Sequence, residues 1–282
     1  MARLEPQVLL LTGQVMETAR SFEVAGGLAV VFSRGKPGAE ADNQDALCVV
    51  GLGSRRAVLA VADGAGGHAG GAAAARAALE ALSREVMAAG EESTLRAALL
   101  DGIEAANADV TALGTGAAAT LAAIEIDDTT IRPYHVGDAE ILVVGQRGRV
   151  RLQIVPHSPT GYAVEAGLLR EDEAIDHEHR HLVSNVVGAS DMRIEMGSAL
   201  RLGMHDTVLL ASDGLFDNLH VEEIVERIRK GPLEIAAASL RDLVAARMAG
   251  TRRQEPSKPD DCSFLLFRRR LARKPARREE AS

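Results

Sequence analysis

The chain has 282 residues, 46% hydrophobic and 26% charged, which is length and apolar content for one large domain or two small ones. Five Phe, two Tyr and no Trp are too few for the stacking platforms of single-strand nucleic-acid binders or for aromatic cages. The net charge is −8, and the chain is more acidic still before the basic stretch that starts at Arg268, so it repels nucleic acid and anionic membranes and favours cations or basic partners.

The N-terminal apolar run Val8–Leu11 is too short for a secretory signal and lacks a small-residue cleavage pattern. No stretch approaches the roughly 20 apolar residues of a membrane span. Two cysteines, Cys48 and Cys262, make no disulfide framework and no metal-binding pair. These features point to a soluble, cytoplasmic protein.

The β-branched runs Leu28–Phe32, Ala46–Val50 and Ala57–Ala62 predict strands. Two alanine-rich stretches with helical spacing follow, Gly71–Ala89 and Ser93–Leu113, with Ser93 as candidate N-cap of the second. Strands resume at Ala119–Ile126, Thr130–Val136, Ile141–Val144 and Val150–Val155. Pro156–Asn185 is polar and weakly patterned, a loop-rich excursion. Strands Arg193–Leu200 and Thr207–Ala211 lead into helices Val221–Arg229 and Leu233–Ala249. A Pro-containing linker, Thr251–Pro259, precedes the last strand, Ser263–Phe267, and residues from Arg268 onward read as a disordered basic tail. Consecutive strands and paired helices, without strict alternation, predict an α+β fold: mostly antiparallel sheet with a helix pair on each side.

The chemistry concentrates where apolar strands meet aspartate. Val-Ala-Asp63-Gly64-Ala-Gly-Gly-His68 and Ala-Ser-Asp213-Gly-Leu-Phe-Asp217 have nearly the same shape. Asn43-Gln-Asp45 and Pro259-Asp260-Asp261 precede strands, and His135-Val-Gly-Asp138 ends one. A single Asp-Gly is an ordinary turn signal, as Asp101-Gly102 inside a helical pattern illustrates. Five such places are different, because carboxylates at the ends of neighbouring buried strands converge and repel. A hard divalent cation relieves that repulsion and takes oxygen ligands. A two-metal hydrolytic site and a set of unrelated turns both remain open from the residues alone.

In order and spacing, these five motifs resemble those of the metal-dependent protein phosphatases of type 2C, the PPM family, from about Leu28 to Phe267. The glycine-rich Asp63–His68 loop resembles the bacterial serine/threonine phosphatases of that family. The resemblance implies one catalytic domain over residues 1–267, with a variable flap at 156–185. It also implies a four-layer α-β-β-α sandwich of two antiparallel sheets flanked by helix pairs. Two Mn²⁺ or Mg²⁺ ions would be bridged by a hydroxide that attacks phosphoserine or phosphothreonine in line, with no protein nucleophile. Carried over by motif, Asp63 bridges both ions, the Gly64 carbonyl ligates one, and Asp45, Asp213 and Asp260 complete the pair. Asp138 and Asp217, with Asp213, match the ligands of a weaker third ion. Phosphorylated proteins, made by an opposing serine/threonine kinase, are the implied partners, and the family analogy favours a monomer.

The chain departs from the family pattern in three places. The position of the usual phosphate-holding arginine is Glu40, and the nearest candidate is Arg34 upstream. The residue two after the bridging aspartate is Ala65 rather than a histidine acid, which leaves His68 as a candidate proton donor or a plain loop histidine. The usual Ser-Arg after Gly137-Asp138 is Ala139-Glu140. His177, His179 and His181 alternate as on one strand face, a pattern of solvated flap surface or of an extra metal site. Two other functions compete with the phosphatase: a catalytically weak or inactive member that binds phosphoproteins as a regulator, and a hydrolase of small phosphoesters.

Overall fold

A computed structural model describes residues 7–65, 68–89, 94–250 and 255–270. In chain order, β1 (Gln7–Thr12), β2 (Arg20–Val24), β3 (Gly27–Arg34), β4 (Ala46–Leu52) and β5 (Arg56–Ala65) precede α1 (His68–Ala89) and α2 (Leu95–Ala112). Then come β6 (Ala118–Asp127), β7 (Thr130–Val136), β8 (Glu140–Val144) and β9 (Val150–Gln153), followed by the short helices α3 (Pro159–Glu165) and α4 (Glu171–Ala174). Two-residue strands β10 (Glu195–Met196) and β11 (Leu200–Arg201) lead to β12 (Thr207–Ala211) and the one-turn α5 (Asp213–Phe216). Helices α6 (Val221–Ile228) and α7 (Leu233–Met248) and strand β13 (Cys262–Arg269) are the last elements of the described residues.

The strands form two antiparallel sheets. One runs β1-β4-β5-β6-β7-β10 with β11 also on β7, and the other runs β2-β3-β13-β12-β8-β9. Period-2 alternation assigns each side chain to a layer. On the first sheet Leu47, Val49, Leu59, Val61, Ala122 and Ile124 share a core with the second sheet. The intervening Cys48, Val58, Ala60, Ala62 and Leu121 face α1 and α2. The helix side is largely alanine (Ala74, Ala75, Ala78, Ala81), which lets α1 lie close to the strands. On the far side, Ile224, Ile228, Leu233, Ala237 and Leu240 of α6 and α7 cover the second sheet. The layers are therefore helix, sheet, sheet, helix.

Strand β7 and strand β12 have the expected bounds, and the Pro156–Asn185 excursion carries only α3, α4 and turns. Several expectations are corrected. Thr94, not Ser93, caps α2, its hydroxyl accepting from Ala97 N–H at 3.3 Å. The strand expected at Arg193–Leu200 is split at Gly197, whose N–H donates to the Pro133 carbonyl and where a side chain would meet the Pro133 ring. Strands β1 and β2 lie outside the strands the sequence predicts; both are sheet edges with exposed polar residues. His177, His179 and His181 lie on turns rather than a strand. Arg268 and Arg269 belong to β13, not to a tail, and the Arg268 guanidinium donates to Thr207 Oγ1 and the Ile228 carbonyl. Residues 271–282 lie outside the described ones. Both cysteines are buried and free, and burial pushes the Cys48 thiol up to about 12. Among the described residues no helix is long and apolar enough to cross a membrane.

Candidate metal centre

Asp45 stands at the head of β4, buried, and its position is fixed by hydroxyls and amides from distant parts of the chain. Its Oδ2 accepts from Ser212 Oγ at 2.8 Å, whereas its Oδ1 is buried without a hydrogen-bond partner. Ser212 Oγ also accepts from Ser263 N–H at 3.0 Å, and Ser263 Oγ donates to Ser33 Oγ at 2.8 Å. Asn43 closes this network: its amide donates to Ser33 Oγ, and its Oδ1 accepts the Asp45 N–H at 3.0 Å. Asp261 ties the start of β13 to the same loop, its two oxygens accepting Lys36 N–H and Gln44 N–H at 2.8 Å each.

Asp63 and Gly64 lie near the end of β5, opposite Thr120 and Ala119 of β6. A Cβ on Gly64 would collide with the Gly71 backbone in α1, and one on Gly71 would collide with Gln44 Oε1 and the Gly64 carbonyl. Only glycine at both places lets the helix start rest against the strand end. His68 opens α1, and its side chain lies outside the described ones. Asp213 is the first residue of α5 and Asp217 its C-cap. Asp138 follows Gly137, whose φ of 97° is in the left-handed region where a turn this tight needs glycine.

The strand ends bring these aspartates together. Asp63 is held well above the usual carboxylate range, first by burial and then by repulsion from Asp45, Asp213, Asp138 and Asp260. Burial leads again at Asp45, pushed up to about 8 against the Ser212 hydrogen bond. Asp138 rises to about 8 through burial, Asp213 and Asp217. Asp217 rises to about 6 through burial and Asp213, and Asp260 is raised for the same two reasons. Such a group of carboxylates is unfavourable unless a cation is shared among them.

One cation of the chain itself is in the cluster. Lys258 Nζ donates to Asp213 Oδ2 at 2.5 Å and to Asp217 Oδ2 at 2.6 Å, and lies 3.1 Å from Asp260 Oδ2. Glu140 adds a further buried carboxyl, pushed up to about 8 by burial and by Asp217 and Asp138. A cavity of about 550 Å³ opens beside Asp138, Asp213 and Asp217, walled by Thr160 and Arg180 of the 156–185 excursion. The sequence-derived flap therefore adjoins the cluster.

Arg34 ends β3 with its guanidinium 3.4 Å from Glu17 and 3.7 Å from Glu40, the residue at the usual arginine position. The guanidinium thus pairs with these two acids rather than with the aspartates.

His135, His157 and Glu195 bring donor atoms within 4.8 Å of one another. Their hydrogen bonds define what they do. His135 Nε2 donates to the Val155 carbonyl at 3.0 Å. His157 Nδ1 accepts from Gly137 N–H at 3.1 Å and Asn185 Nδ2 at 2.9 Å, which leaves its Nε2–H to donate to Glu195 at 3.0 Å. The trio is a clamp on the turn that carries Asp138. The sequence motifs name Asp261 without its bracing role and contain Ser212 without a role, while Lys258, two residues before Asp260, and His157 stand outside them.

The protein phosphatase 2C family model matches residues 37–248. A protein of Streptococcus pyogenes serotype M6 assigned to the protein phosphatase 2C type is 30% identical over 173 residues, 58% of this chain and 70% of the relative. The solved serine/threonine phosphatase PstP/Ppp of Mycobacterium tuberculosis superposes with a TM-score of 0.68 at 26% identity, covering 86% of this chain and 98% of that one. A PstP catalytic domain solved in complex with two manganese ions has a TM-score of 0.64 at 24% identity, over 93% of this chain and 99% of that one. This chain belongs to the protein phosphatase 2C family of serine/threonine phosphatases.

Proposed function

We propose that the chain hydrolyses phosphoserine and phosphothreonine in protein substrates, opposing a serine/threonine kinase, with two Mn²⁺ or Mg²⁺ ions held by its aspartates. The observation that carries this reading is the convergence of Asp45, Asp63, Asp138 and Asp260 from strand ends with Asp213 and Asp217 of the α5 turn, with one buried oxygen of Asp45 unpaired. The donor set fits the group: it is all oxygen, crowded, and raised in pKa by mutual repulsion that divalent charge relieves. In this reading Asp63, the Gly64 carbonyl, Asp45, Asp213 and Asp260 would hold the pair. When bound, such a pair supplies a water of lowered pKa as nucleophile and neutralises phosphoryl charge.

The rest is the work of the chain's own residues. Ser212 holds Asp45 by one oxygen and leaves the other buried without a hydrogen-bond partner. The Gly64–Gly71 contact sets the height of the Gly64 carbonyl above α1. His157 keeps the Asp138 turn in place through Gly137. Arg34 is the candidate to bind the substrate phosphate, by releasing Glu17 and Glu40, and His68 the candidate to protonate the leaving oxygen. The cavity beside the 156–185 flap is where the phosphorylated residue would enter. Retention of the whole donor set counts against a purely binding role.

The test is phosphate release from phosphoserine and phosphothreonine peptides, against nucleotides and sugar phosphates, with and without chelator. Chelator-sensitive turnover of the peptides is expected. Turnover confined to small phosphoesters would contradict the substrate class, and none at all would contradict the enzyme.

A further inference from the structure

Lys258 is not a surface lysine that happens to touch acids. Its N–H donates to Asn218 Oδ1 at 2.8 Å, and its carbonyl accepts from Asn218 Nδ2 at 2.9 Å. Asn218 is completely buried and donates also to the Gly214 carbonyl, so the Lys258 backbone is bolted to the α5 turn that presents Asp213 and Asp217. Pro259 follows at once and limits the backbone further. The side chain is 20% exposed, and its ammonium has three N–H donors. Three carboxylates lie at 2.5, 2.6 and 3.1 Å, one for each donor.

Two of those carboxylates, Asp213 and Asp217, belong to the set that the family resemblance allots to a third ion, whose remaining member is Asp138. An ammonium placed between them occupies the space, satisfies both oxygens and repels a divalent charge at the same point.

We propose that the Lys258 ammonium is a built-in replacement for the third cation, so that this chain takes up two divalent ions and no third. The inference rests on the metal-pair reading above. The ammonium also reaches Asp260, so the built-in charge links the third-ion carboxylates to the pair and cannot wash out with chelator. Replacing Lys258 with an uncharged side chain frees Asp138, Asp213 and Asp217 for an additional ion.

The experiment counts Mn²⁺ per chain, by native mass spectrometry and by elemental analysis after equilibrium dialysis at saturating Mn²⁺. It compares the full-length wild type with Lys258→Met, Lys258→Gln and Lys258→Arg. Two neutral variants of different polarity guard against a folding defect, which circular dichroism detects. The expected counts are two for the wild type and Lys258→Arg, and three for whichever neutral variant folds. The added ion should be lost again when Asp138→Asn is combined with the neutral variant. Three ions on the wild type, or two on a folded neutral variant, would overturn the inference while leaving the metal pair intact. Fewer than two on the wild type would overturn the metal-pair reading and the inference with it. Loss of folding in both neutral variants would overturn the replacement role in favour of a purely structural lysine.

Discussion

His157 and Gly137 are hydrogen-bonded to each other twice: the Gly137 N–H donates to His157 Nδ1 at 3.1 Å, and the His157 N–H donates to the Gly137 carbonyl at 3.0 Å. The residue after Gly137 is Asp138, so a buried imidazole 20 positions from Gly137 sets where that carboxylate sits. His157→Ala strands the Gly137 N–H in a buried site and removes one of the two acceptors of the Asn185 amide, which keeps the Arg193 carbonyl, at about 1–3 kcal/mol. Thermal melting should fall accordingly, and activity with it. His157→Asn, which keeps an acceptor near Nδ1, should recover part of both. Equal losses in the two variants would show that the hydrogen bond is not what matters.

The Gly64–Gly71 approach gives a second expectation. A Cβ at Gly71 would come within 2.6 Å of the Gly64 carbonyl oxygen and closer still to Gln44 Oε1, whereas one at Gly70 would meet, among the described residues, the Ala117 methyl at 3.2 Å. Gly71→Ala should therefore cost about 1–3 kcal/mol of stability and weaken Mn²⁺ binding, because the backbone itself must move. Gly70→Ala should cost less and leave Mn²⁺ affinity close to wild type. Titrations of Mn²⁺ with both variants check this, and similar affinities would contradict it.

Much of this architecture is legible in the sequence, and the failures have a physical pattern. Thr207–Ala211 is delimited to the residue because it is an apolar run between Asp206 and Ser212-Asp213, and Thr130–Val136 because Asp128 and Gly137-Asp138 bound it; both strands are interior to a sheet. Gln7–Thr12 and Arg20–Val24 are edge strands, where one side is solvent and the alternation is blurred by Arg20 and Glu23. The aspartates are readable because each sits within a recognisable string next to a strand end or, for Asp217, on the turn that follows one. Lys258 is not, because its partner Asp213 is 45 residues away and nothing local marks a lysine before a proline as buried. Asp261 was seen as part of a motif, yet its role as a brace between Lys36 and Gln44 depends on tertiary contacts over more than 200 residues.

Glu140 offers a pH-dependent expectation. Its carboxyl is pushed up from 4.5 to about 8, chiefly by burial. A group whose pKa is raised on folding contributes stability that is complete below its unfolded value and is lost as pH rises through the folded one. That window runs here from about pH 4.5 to about pH 8. In the metal-free protein, Glu140→Gln should melt near wild type at pH 5 and above it at pH 8, by about 1–3 kcal/mol. A stability difference that does not change between the two pH values would contradict the assignment.

Arg34 and His68 are tested by kinetics. If Arg34 leaves Glu17 and Glu40 to hold the substrate phosphate, Arg34→Ala should raise KM several-fold with a smaller change in kcat. An unchanged KM would remove it from the site. His68→Ala should flatten one limb of the pH–rate profile if the histidine donates a proton, and an unchanged profile would leave it a helix-terminal residue.

The most direct measurement is hydrolysis of a generic aryl phosphate against Mn²⁺ concentration, for wild type and Asp63→Ala side by side. Asp63 is the carboxylate on which repulsion from Asp45, Asp138, Asp213 and Asp260 converges. The expected result is wild-type activity that requires Mn²⁺, stops with chelator and falls by at least about 100-fold in a folded Asp63→Ala. Activity that persists in chelator, or survives the loss of Asp63, would contradict a catalytic metal pair held by these aspartates.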